Sequence, residues 1–513
     1  MNNTANNKRI AKNTLLLYIR MLLTMSISLY TSRIVLKTLG VEDFGIYNAV
    51  GGIIAMFGFL TSAMSISTQR YITFELGKND SKQINKVFNT SIIIHIFISI
   101  VIFIFAETIG LWFLYNKMTI PIERLDAALW VYQASIASSI ILILTVPYNA
   151  IIIAHEKMSA FAYISVLEAI MKLIIVYFLL ISDFDKLKLY SILIFTIQLI
   201  ICTIYNLYCK TKFSETQFRF VKDKPLLKEM LSFAGWNLWG NCAGIASTQG
   251  VNILLNIFFG PAVNAARGIA IQVQSAVNQF ASNFQTAINP PITKSYAQGD
   301  YNYMHNLIFS SSKFTFYLLL IITLPLQIET KTILNLWLGT SPQYTETFLR
   351  LILCITIIDA TANPLVVSTL ATGKVKIYQI TIGTILFSIL PLSYILLELG
   401  SKPESVFCIH LAICILAFIT RLIIVHSTIK LNLLQYLKQV IIRILSVGLI
   451  SVGAMIGLKK ILHENSILSF IILCFSSIVI VIILTYHIGL NKNERNFIKQ
   501  KIKKHLQSIN HTK

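Results

Sequence analysis

The sequence predicts an all-α polytopic membrane protein with about fourteen transmembrane helices, in two six-helix lobes related by pseudo-two-fold symmetry plus two extra C-terminal helices. Three observations lead to this fold class. The 513 residues are 55% hydrophobic and 13% charged, with a mean hydropathy of +0.70. Apolar runs of membrane-spanning length recur along the whole chain. The two halves of the chain also resemble each other in sequence.

The apolar runs are the primary evidence for the helices, because a spanning helix needs roughly 20 mostly apolar residues. They are solidly apolar rather than alternating, which excludes a transmembrane β-barrel. No remaining stretch is long enough for a soluble domain, and the longest polar connection covers residues 210–230. The runs lie near residues 14–36, 44–67, 88–115, 127–154, 159–182, 189–209, 233–259, 264–289, 310–335, 346–371, 377–398, 404–427, 439–460 and 466–488.

The charge distribution predicts the orientation. The formal net charge is +21. With an even number of helices and both termini inside, the inner segments hold 27 basic residues and the outer segments 9. This bias follows the positive-inside rule and places both termini in the cytoplasm. It accounts for the basic character without a nucleic-acid partner. The basic tail 489–513 either rests on anionic headgroups or is a solvated tail that aids topology.

The internal repeat divides the chain into lobes. Gly40 matches Gly260, Gly77 matches Gly299, Asn85 matches Asn306 and Phe88 matches Phe309, while residues 145–161 align with 362–378 at an offset of 217. Parallel repeats of this kind are a transporter architecture with the substrate bound between the halves. The predicted boundaries are 1–209 for the N-lobe, 210–232 for a cytoplasmic linker, 233–430 for the C-lobe, 431–488 for the extra helices and 489–513 for the tail.

Several helices carry a polar face. On a helical wheel of 271–289, one side is polar, with Gln272, Ser275, Asn278, Gln279, Ser282, Asn283, Thr286 and Asn289. Asn237 and Asn241 share a side of the helix 233–259 with Thr248, Asn252 and Asn256. Such faces cannot meet lipid tails, so they serve either as polar contacts between helices or as the lining of a hydrated cavity. Neutral amides and hydroxyls suit a ligand rich in hydroxyl groups, such as a glycan.

Charged residues within the spans are the other candidates. Arg20, Arg33 and Arg267 lie in apolar runs, where ionisable groups are functional by default, and a guanidinium binds phosphate in a bidentate way. The alternatives are snorkelling to the interface for Arg33 and a helix-end contact for Arg267. Arg421 and Arg443 lie near inner helix ends and are assigned to topology.

Two carboxylates are candidates for ion coupling. Glu168 and Lys172 have the i, i+4 spacing of a structural ion pair, which is the alternative to a coupling role for Glu168. Asp359 precedes Pro364, which frees a backbone carbonyl one turn earlier. A carboxylate beside an opened helix is a candidate site for H⁺ or Na⁺. The nine His and seven Cys show no metal-ligand or paired spacing, so neither a metal nor a cofactor is expected.

Three stretches of the chain resemble a known family. They are "SRIVLKTLGVEDFGIYNAVGG" (32–52), "STQRYITFELGK" (67–78) and "QVQSAVNQFASNFQTAINPPITKSYAQGD" (272–300). They are similar to the polysaccharide transporters of the multidrug/oligosaccharidyl-lipid/polysaccharide exporter superfamily, above all to the Wzx-type flippases of O-antigen and capsule synthesis. The resemblance implies a bacterial inner-membrane protein that flips undecaprenyl-pyrophosphate-linked oligosaccharide to the periplasmic leaflet. It fixes no substrate-contact residue.

Other functions stay open beside this one. The same superfamily contains lipid II flippases and multidrug/cation antiporters, and the antiporters are expected to have an aromatic pocket with carboxylates. A membrane glycosyltransferase or polymerase would need catalytic residues on a large outer loop, and the outer loops here are short. The expected partners are the lipid-linked oligosaccharide and the bilayer, with H⁺ or Na⁺ and a polysaccharide polymerase as further candidates. The sequence predicts a transporter rather than an enzyme.

Overall fold

The structure, a computed structural model, describes residues 3–55, 58–118, 120–219, 223–338, 342–462, 467–492, 494–496 and 499. Contacts divide the chain into two compact units. The first contains Met1–Cys242 and Thr286–Asp300, and the second contains Ala243–Gln285 and Tyr301–Lys513. Most of the predicted basic tail, from residue 500 onward, lies outside the described residues.

The first unit consists of helices that pack along their lengths. α5 packs against α7, and α1 packs against α6. Val131, Tyr132 and Ile136 of α5 lie in its core. A π-helical turn, Ala106–Gly110, joins α3 to α4. The helices are α1 (Asn3–Ala55), α2 (Gly58–Lys78), α3 (Ser81–Phe105), α4 (Leu111–Lys117), α5 (Leu125–Ala154), α6 (Met158–Ile181), α7 (Lys186–Lys212) and the part of α8 (Lys224–Phe259) up to Cys242.

The second unit is built in the same way. α12 packs against α10 and α15, and α10 also packs against α17 and α18. Leu255, Phe348 and Leu353 lie in its core. Its helices are the end of α8, α9 (Pro261–Ala297) up to Gln285, α10 (Tyr301–Ile328), α11 (Thr330–Leu338), α12 (Thr345–Ala371), α13 (Lys376–Phe387), α14 (Ile389–Glu398), α15 (Glu404–Ile429), α16 (Leu433–Tyr436), α17 (Ile442–Ile461) and α18 (Ile467–Leu484).

The all-α, membrane-spanning fold class is confirmed. In the described part of the chain, twelve helical segments are long and apolar enough to cross a membrane. The two predicted runs outside this set are 44–67, which includes the undescribed residues 56 and 57, and 264–289, whose polar face lowers its hydropathy. Helices also extend into the predicted linker from both sides, since α7 reaches Lys212 and α8 begins at Lys224. The predicted lobe boundaries stay a prediction.

Equivalent turns of the two sequence halves have the same unusual backbone. Gly40 and Gly260 both have a positive φ, of 80° and 76°, a conformation that glycine adopts without steric cost. Gly299 (φ 73°) corresponds to Asn79 (φ 58°), because Asn79 donates its N–H three residues back to the Leu76 carbonyl as Gly299 does to Tyr296. The offset in this turn is therefore 220, which corrects the match of Gly77 with Gly299.

A buried ion pair fastens the segment after α18 to α10. The Lys313 side chain is 1% exposed, and its Nζ lies 2.9 Å from both carboxylate oxygens of Glu494. Glu494 and Asn491 also exchange backbone-to-side-chain hydrogen bonds of 2.8 Å each, which is the reciprocal arrangement of a capping box. The second unit thus includes the start of the segment that the sequence assigns to the tail.

Candidate functional site

A pocket of about 440 Å³ lies between α9 and α12, within the second unit. Most of the residues that line it have polar side chains. Ser275, Asn278, Gln279, Ala281, Ser282 and Gln285 of α9 line it together with Asp359, Ala360 and Asn363 of α12. The pocket therefore brings together Gln279 and Asp359, two residues that the sequence assigned to separate roles.

The polar face of α9 follows from the spacing of its residues. Asn278, Gln279 and Ser282 follow Ser275 by three, four and seven positions, and all four are exposed, as is the predicted Gln272. Val277 and Ala281 alternate with them and are 3% and 2% exposed in the core. The helical wheel is correct for these positions. It is wrong for Asn283, which is 6% exposed and donates to the Gln279 carbonyl at 2.7 Å.

Two other glutamines of α9 hold this helix against α12. Gln274 donates to the hydroxyl of Thr356 at 3.0 Å, and Gln285 donates to the carbonyl of Ala360 at 3.0 Å. Pro364 has no N–H, so the Ala360 carbonyl lacks its usual donor within the helix. The predicted free carbonyl is therefore present, and an amide of α9 binds it.

Asp359 of α12 lines the pocket, and two side chains of α15 contact its carboxylate. Arg421 of α15 places Nη1 3.3 Å from Oδ1, and the Cys414 thiol donates to Oδ2 at 3.6 Å. The Arg421 side chain is 9% exposed and that of Asp359 is 45% exposed. The assignment of Arg421 to topology missed this contact. A buried arginine in an apolar run was the available signal, because such a cation requires a partner.

Asn363 is a further pocket residue that the sequence did not single out. It lies one turn after Asp359, and its Oδ1 is buried without a hydrogen-bond partner in the described part of the chain. Buried side-chain acceptors are normally satisfied. The oxygen itself is inaccessible, so its lack of a donor is a cost to stability rather than a free position for a ligand.

The Arg267 guanidinium donates hydrogen bonds to two residues of the second unit. It is 9% exposed, with Nη1 3.0 Å from Asn252 Oδ1 and Nη2 2.7 Å from the Thr248 carbonyl. Both acceptors belong to α8, so the geometry is that of a contact between neighbouring helices. A role for Arg267 in phosphate binding stays a prediction.

In the first unit, Arg20 and Glu168 belong to one polar cluster. The Arg20 guanidinium lies over the Phe161 ring, 4.6 Å from its centroid. Tyr205 hydrogen-bonds to Ser165 and interacts electrostatically with Glu168 and Arg20. Glu168 Oε1 lies 2.6 Å from Lys172 Nζ and accepts from Gln198 at 3.2 Å. The predicted i, i+4 ion pair is therefore present.

Three further predicted residues belong to the first unit. Arg33 is exposed. Asn237 is 3% exposed and donates to the Phe233 carbonyl of its own helix at 2.8 Å, while Asn241 is half-buried. Neither asparagine lines the pocket described above, and their assignment to a substrate cavity stays a prediction.

A second charged cluster was not predicted at all. Glu156, in the turn between α5 and α6, has a fully buried side chain. Its carboxylate lies 2.8 Å from Arg9 Nε and 2.8 Å from Lys294 Nζ, near the end of α9. Glu156 has φ 58°, and its repeat equivalent Gly373 has φ 77°. Next to it, His155 Nε2 lies 2.7 Å from Glu215 Oε1, and burial lowers the pKa of His155.

The pocket predicts a pattern of water access along α9. Cysteine at 275, 279 or 282 should react with a membrane-impermeant thiol reagent, because these positions line a polar pocket that hydrates. Cysteine at the buried position 281 should stay unlabelled. So should cysteine at the exposed Leu449 of α17, because an apolar surface of a spanning helix faces lipid. The assay needs a background without the seven native cysteines, and equal labelling of 279 and 449 would contradict the pocket.

Comparison with known proteins gives both a family and a fold. The family described as polysaccharide biosynthesis protein matches residues 10–297. MATE in the bent conformation is 13% identical, with a TM-score of 0.71 over 83% of this chain and 96% of that one. An outward-facing multidrug resistance MATE family transporter of the MOP superfamily is 16% identical, with a TM-score of 0.67 over 82% and 96%.

A third structure is that of a MOP superfamily transporter from Pyrococcus furiosus Vc1. It is 14% identical, with a TM-score of 0.67 over 82% of this chain and 97% of that one. No curated protein matches the chain. At these identities the structures establish a common fold, which is the two-lobe fold of MATE transporters.

Proposed function

The chain belongs to the family of polysaccharide biosynthesis proteins and has the fold of MOP superfamily transporters, and from this we propose that it is a flippase. Its substrate is undecaprenyl-pyrophosphate-linked oligosaccharide, the repeat unit of an O-antigen or capsule. It moves this lipid from the cytoplasmic to the periplasmic leaflet of a bacterial inner membrane by alternating access. Both termini are cytoplasmic, and no chemical reaction is catalysed.

The observation that carries this proposal is the chemistry of the pocket between α9 and α12. Seven of the nine residues that line it are serine, asparagine, glutamine or aspartate. The hydroxyls and amides donate and accept hydrogen bonds without a fixed charge, which suits the hydroxyl groups of a sugar. A membrane protein that moved only lipid tails would have no use for such a surface.

A MATE-type multidrug/cation antiporter is the second candidate, because solved structures with this fold include a multidrug resistance transporter. Such a ligand is an organic cation, which binds best to aromatic faces and uncompensated carboxylates. Among the described residues that line the pocket, none is aromatic. The one carboxylate, Asp359, already contacts Arg421. The pocket therefore favours the glycan.

The test combines transport with one matched set of variants. Purified protein in liposomes should move a fluorescent lipid-linked oligosaccharide between leaflets without moving ethidium. We expect Arg20→Ala to lose most of this activity. Removing one partner of a buried charge contact costs about 2–5 kcal/mol, or about 30-fold or more in affinity. Arg20→Lys keeps the charge without the bidentate fork and should retain partial activity.

The exposed Arg219 in the predicted cytoplasmic linker provides the control for Arg20, because Arg219→Ala removes an equal charge from outside the spanning helices. Transport of ethidium without movement of the oligosaccharide would contradict the flippase function and support the antiporter. If Arg20→Ala flips the lipid at the wild-type rate, Arg20 does not bind the pyrophosphate and other cationic residues must do so.

A further inference from the structure

The start of α8 and the end of α9 belong to the first unit, although the internal repeat assigns both helices to the second half of the chain. The first unit includes α8 up to Cys242 and α9 from Thr286 onward. It therefore contains contacts between the two sequence halves. We propose that these contacts form an inner gate, closed in this structure, which opens to admit the lipid-linked oligosaccharide from the cytoplasmic leaflet. The inference rests on the proposed flippase function and its predicted orientation.

The contact between α2 and α9 lies where equivalent positions of the repeat meet. At the offset of 220 found in this turn, Gly77 is equivalent to Ala297. A Cβ added to Gly77 would lie 2.6 Å from the Cβ of Ala297 and 2.9 Å from the Lys294 carbonyl oxygen, so only glycine allows this approach. Equivalent residues of two related halves contact each other only near the axis that relates them. The gate is therefore centred on the pseudo-two-fold axis.

Aromatic side chains extend this contact from α2 to both neighbouring helices. The Tyr71 ring packs edge-to-face on Phe233 of α8, with centroids 5.6 Å apart, and its hydroxyl donates to Glu229 Oε1 at 3.0 Å. The ring centroids of Phe74 and Tyr296 lie 6.2 Å apart between α2 and α9. Each of these contacts joins the first half of the sequence to the second, so each must break when the gate opens.

One ion pair stabilises the closed gate. Glu156, in the turn between α5 and α6, belongs to the first half, and its fully buried carboxylate lies 2.8 Å from Lys294 Nζ of the second half. The same carboxylate pairs with Arg9, which belongs to the first half. The two cations therefore have different roles. Lys294 holds the halves together, whereas Arg9 keeps Glu156 paired when they separate, so that opening does not leave an uncompensated buried charge.

The first experiment measures opening by thiol labelling from the cytoplasmic side of inside-out vesicles. Ser67 of α2 is fully buried, and its hydroxyl donates to the Met230 carbonyl of α8 at 3.3 Å. Ser67→Cys, in a background without the native cysteines, is a nearly isosteric probe that reacts with an impermeant reagent only when the gate is open. Lys294→Met should raise its labelling rate about fivefold, the effect of losing one partly exposed ion pair.

Arg9→Met is the matched control for Lys294→Met. It removes the other cation from the same carboxylate, but Arg9 and Glu156 belong to one half, so the labelling rate should stay at that of the parent. Both variants keep one cation beside Glu156 and should unfold at similar temperatures. A difference in labelling between them therefore reports opening of the gate rather than a general loss of stability.

A disulfide across the axis tests whether opening is required for transport. In the double variant Gly77→Cys, Ala297→Cys, the Cβ atoms reach the roughly 3.8 Å of a disulfide once the two helices separate by about 1 Å. Oxidation should join the two cysteines and stop flipping, and reduction should restore it. The two single variants, treated with the same oxidant, are the controls.

Three results would overturn the gate. They are equal labelling rates in Lys294→Met and Arg9→Met, no disulfide in the double-cysteine variant, and flipping by the oxidised double variant at the rate of its reduced form. Failure of the flippase itself would appear differently, as the absence of lipid-linked oligosaccharide transport by the cysteine-free parent. Labelling at position 67 would still measure the gate in that case.

Discussion

Replacing Glu494 with alanine is expected to lower the free energy of unfolding by about 3–5 kcal/mol. The cause is the lysine that the variant leaves behind. Lys313 is 1% exposed, and both oxygens of Glu494 lie 2.9 Å from its Nζ. A buried cation without a counter-charge is costly, and α10 packs against both α17 and α18. Thermal unfolding of the purified protein in detergent measures the change.

Two controls define what the Glu494 result means. The double variant Lys313→Met, Glu494→Leu removes both charges and should be close to wild type in stability, because apolar replacement of a whole buried pair is often neutral. Glu346→Ala breaks the surface pair with Arg350, whose side chains are 39% and 48% exposed, and should cost at most about 1 kcal/mol. Equal stability of Glu494→Ala and Glu346→Ala would contradict the buried pair.

The second large effect is expected at Glu156. Its side chain is fully buried, whereas Lys294 is 20% and Arg9 50% exposed. Because water reaches the two cations when the carboxylate is removed, Glu156→Ala should cost about 3 kcal/mol, the lower end of the range for buried pairs. Lys294 lies on α9, so we also expect lower flipping activity. Unfolding temperature and flipping rate are the measurements.

Glycine at the same position separates charge from backbone strain. Glu156 has φ 58°, a left-handed conformation that costs roughly 1–2 kcal/mol for residues with a Cβ. Glu156→Gly should therefore be more stable than Glu156→Ala, although both lose the same ion pairs. Glu156→Gln keeps the shape and hydrogen-bonding oxygen and should be the mildest. If alanine and glycine are equally stable, the strain argument is wrong.

The sequence predicts the polar face of α9 well because one helix determines it. Positions 275, 279 and 282 share a side through the helical period alone, and all three line the pocket. The wheel made no prediction for Gln285, and it does not give the hydrogen-bond partner of Asn283. The Asn283 side chain donates to a backbone carbonyl of its own helix. The Gln285 side chain donates to the Ala360 carbonyl, which lacks a helical donor because Pro364 has no N–H. No helical wheel contains that information.

Pairs that are distant in sequence could not be predicted for a similar reason. Asp359 and Arg421 are 62 residues apart on α12 and α15, and Glu156 and Lys294 are 138 residues apart. Charge composition gives the number of cations and anions in each segment but not their separation. Arg421 was therefore assigned to topology, and Glu156 was not singled out. The unpaired Asn363 oxygen is visible only once its surroundings are known.

The contact between Lys313 and Glu494 has a consequence for how the chain is made. Lys313 leaves the ribosome 181 residues before its partner, which at 5–20 residues per second is roughly 10–40 s. During that time Lys313 of α10 has no Glu494 to pair with, so this contact of the folded second unit cannot form. The ion pair of α10 therefore forms only after the segment that follows α18 has been made. A chain that stops before Glu494 keeps a buried Lys313 without its counter-charge.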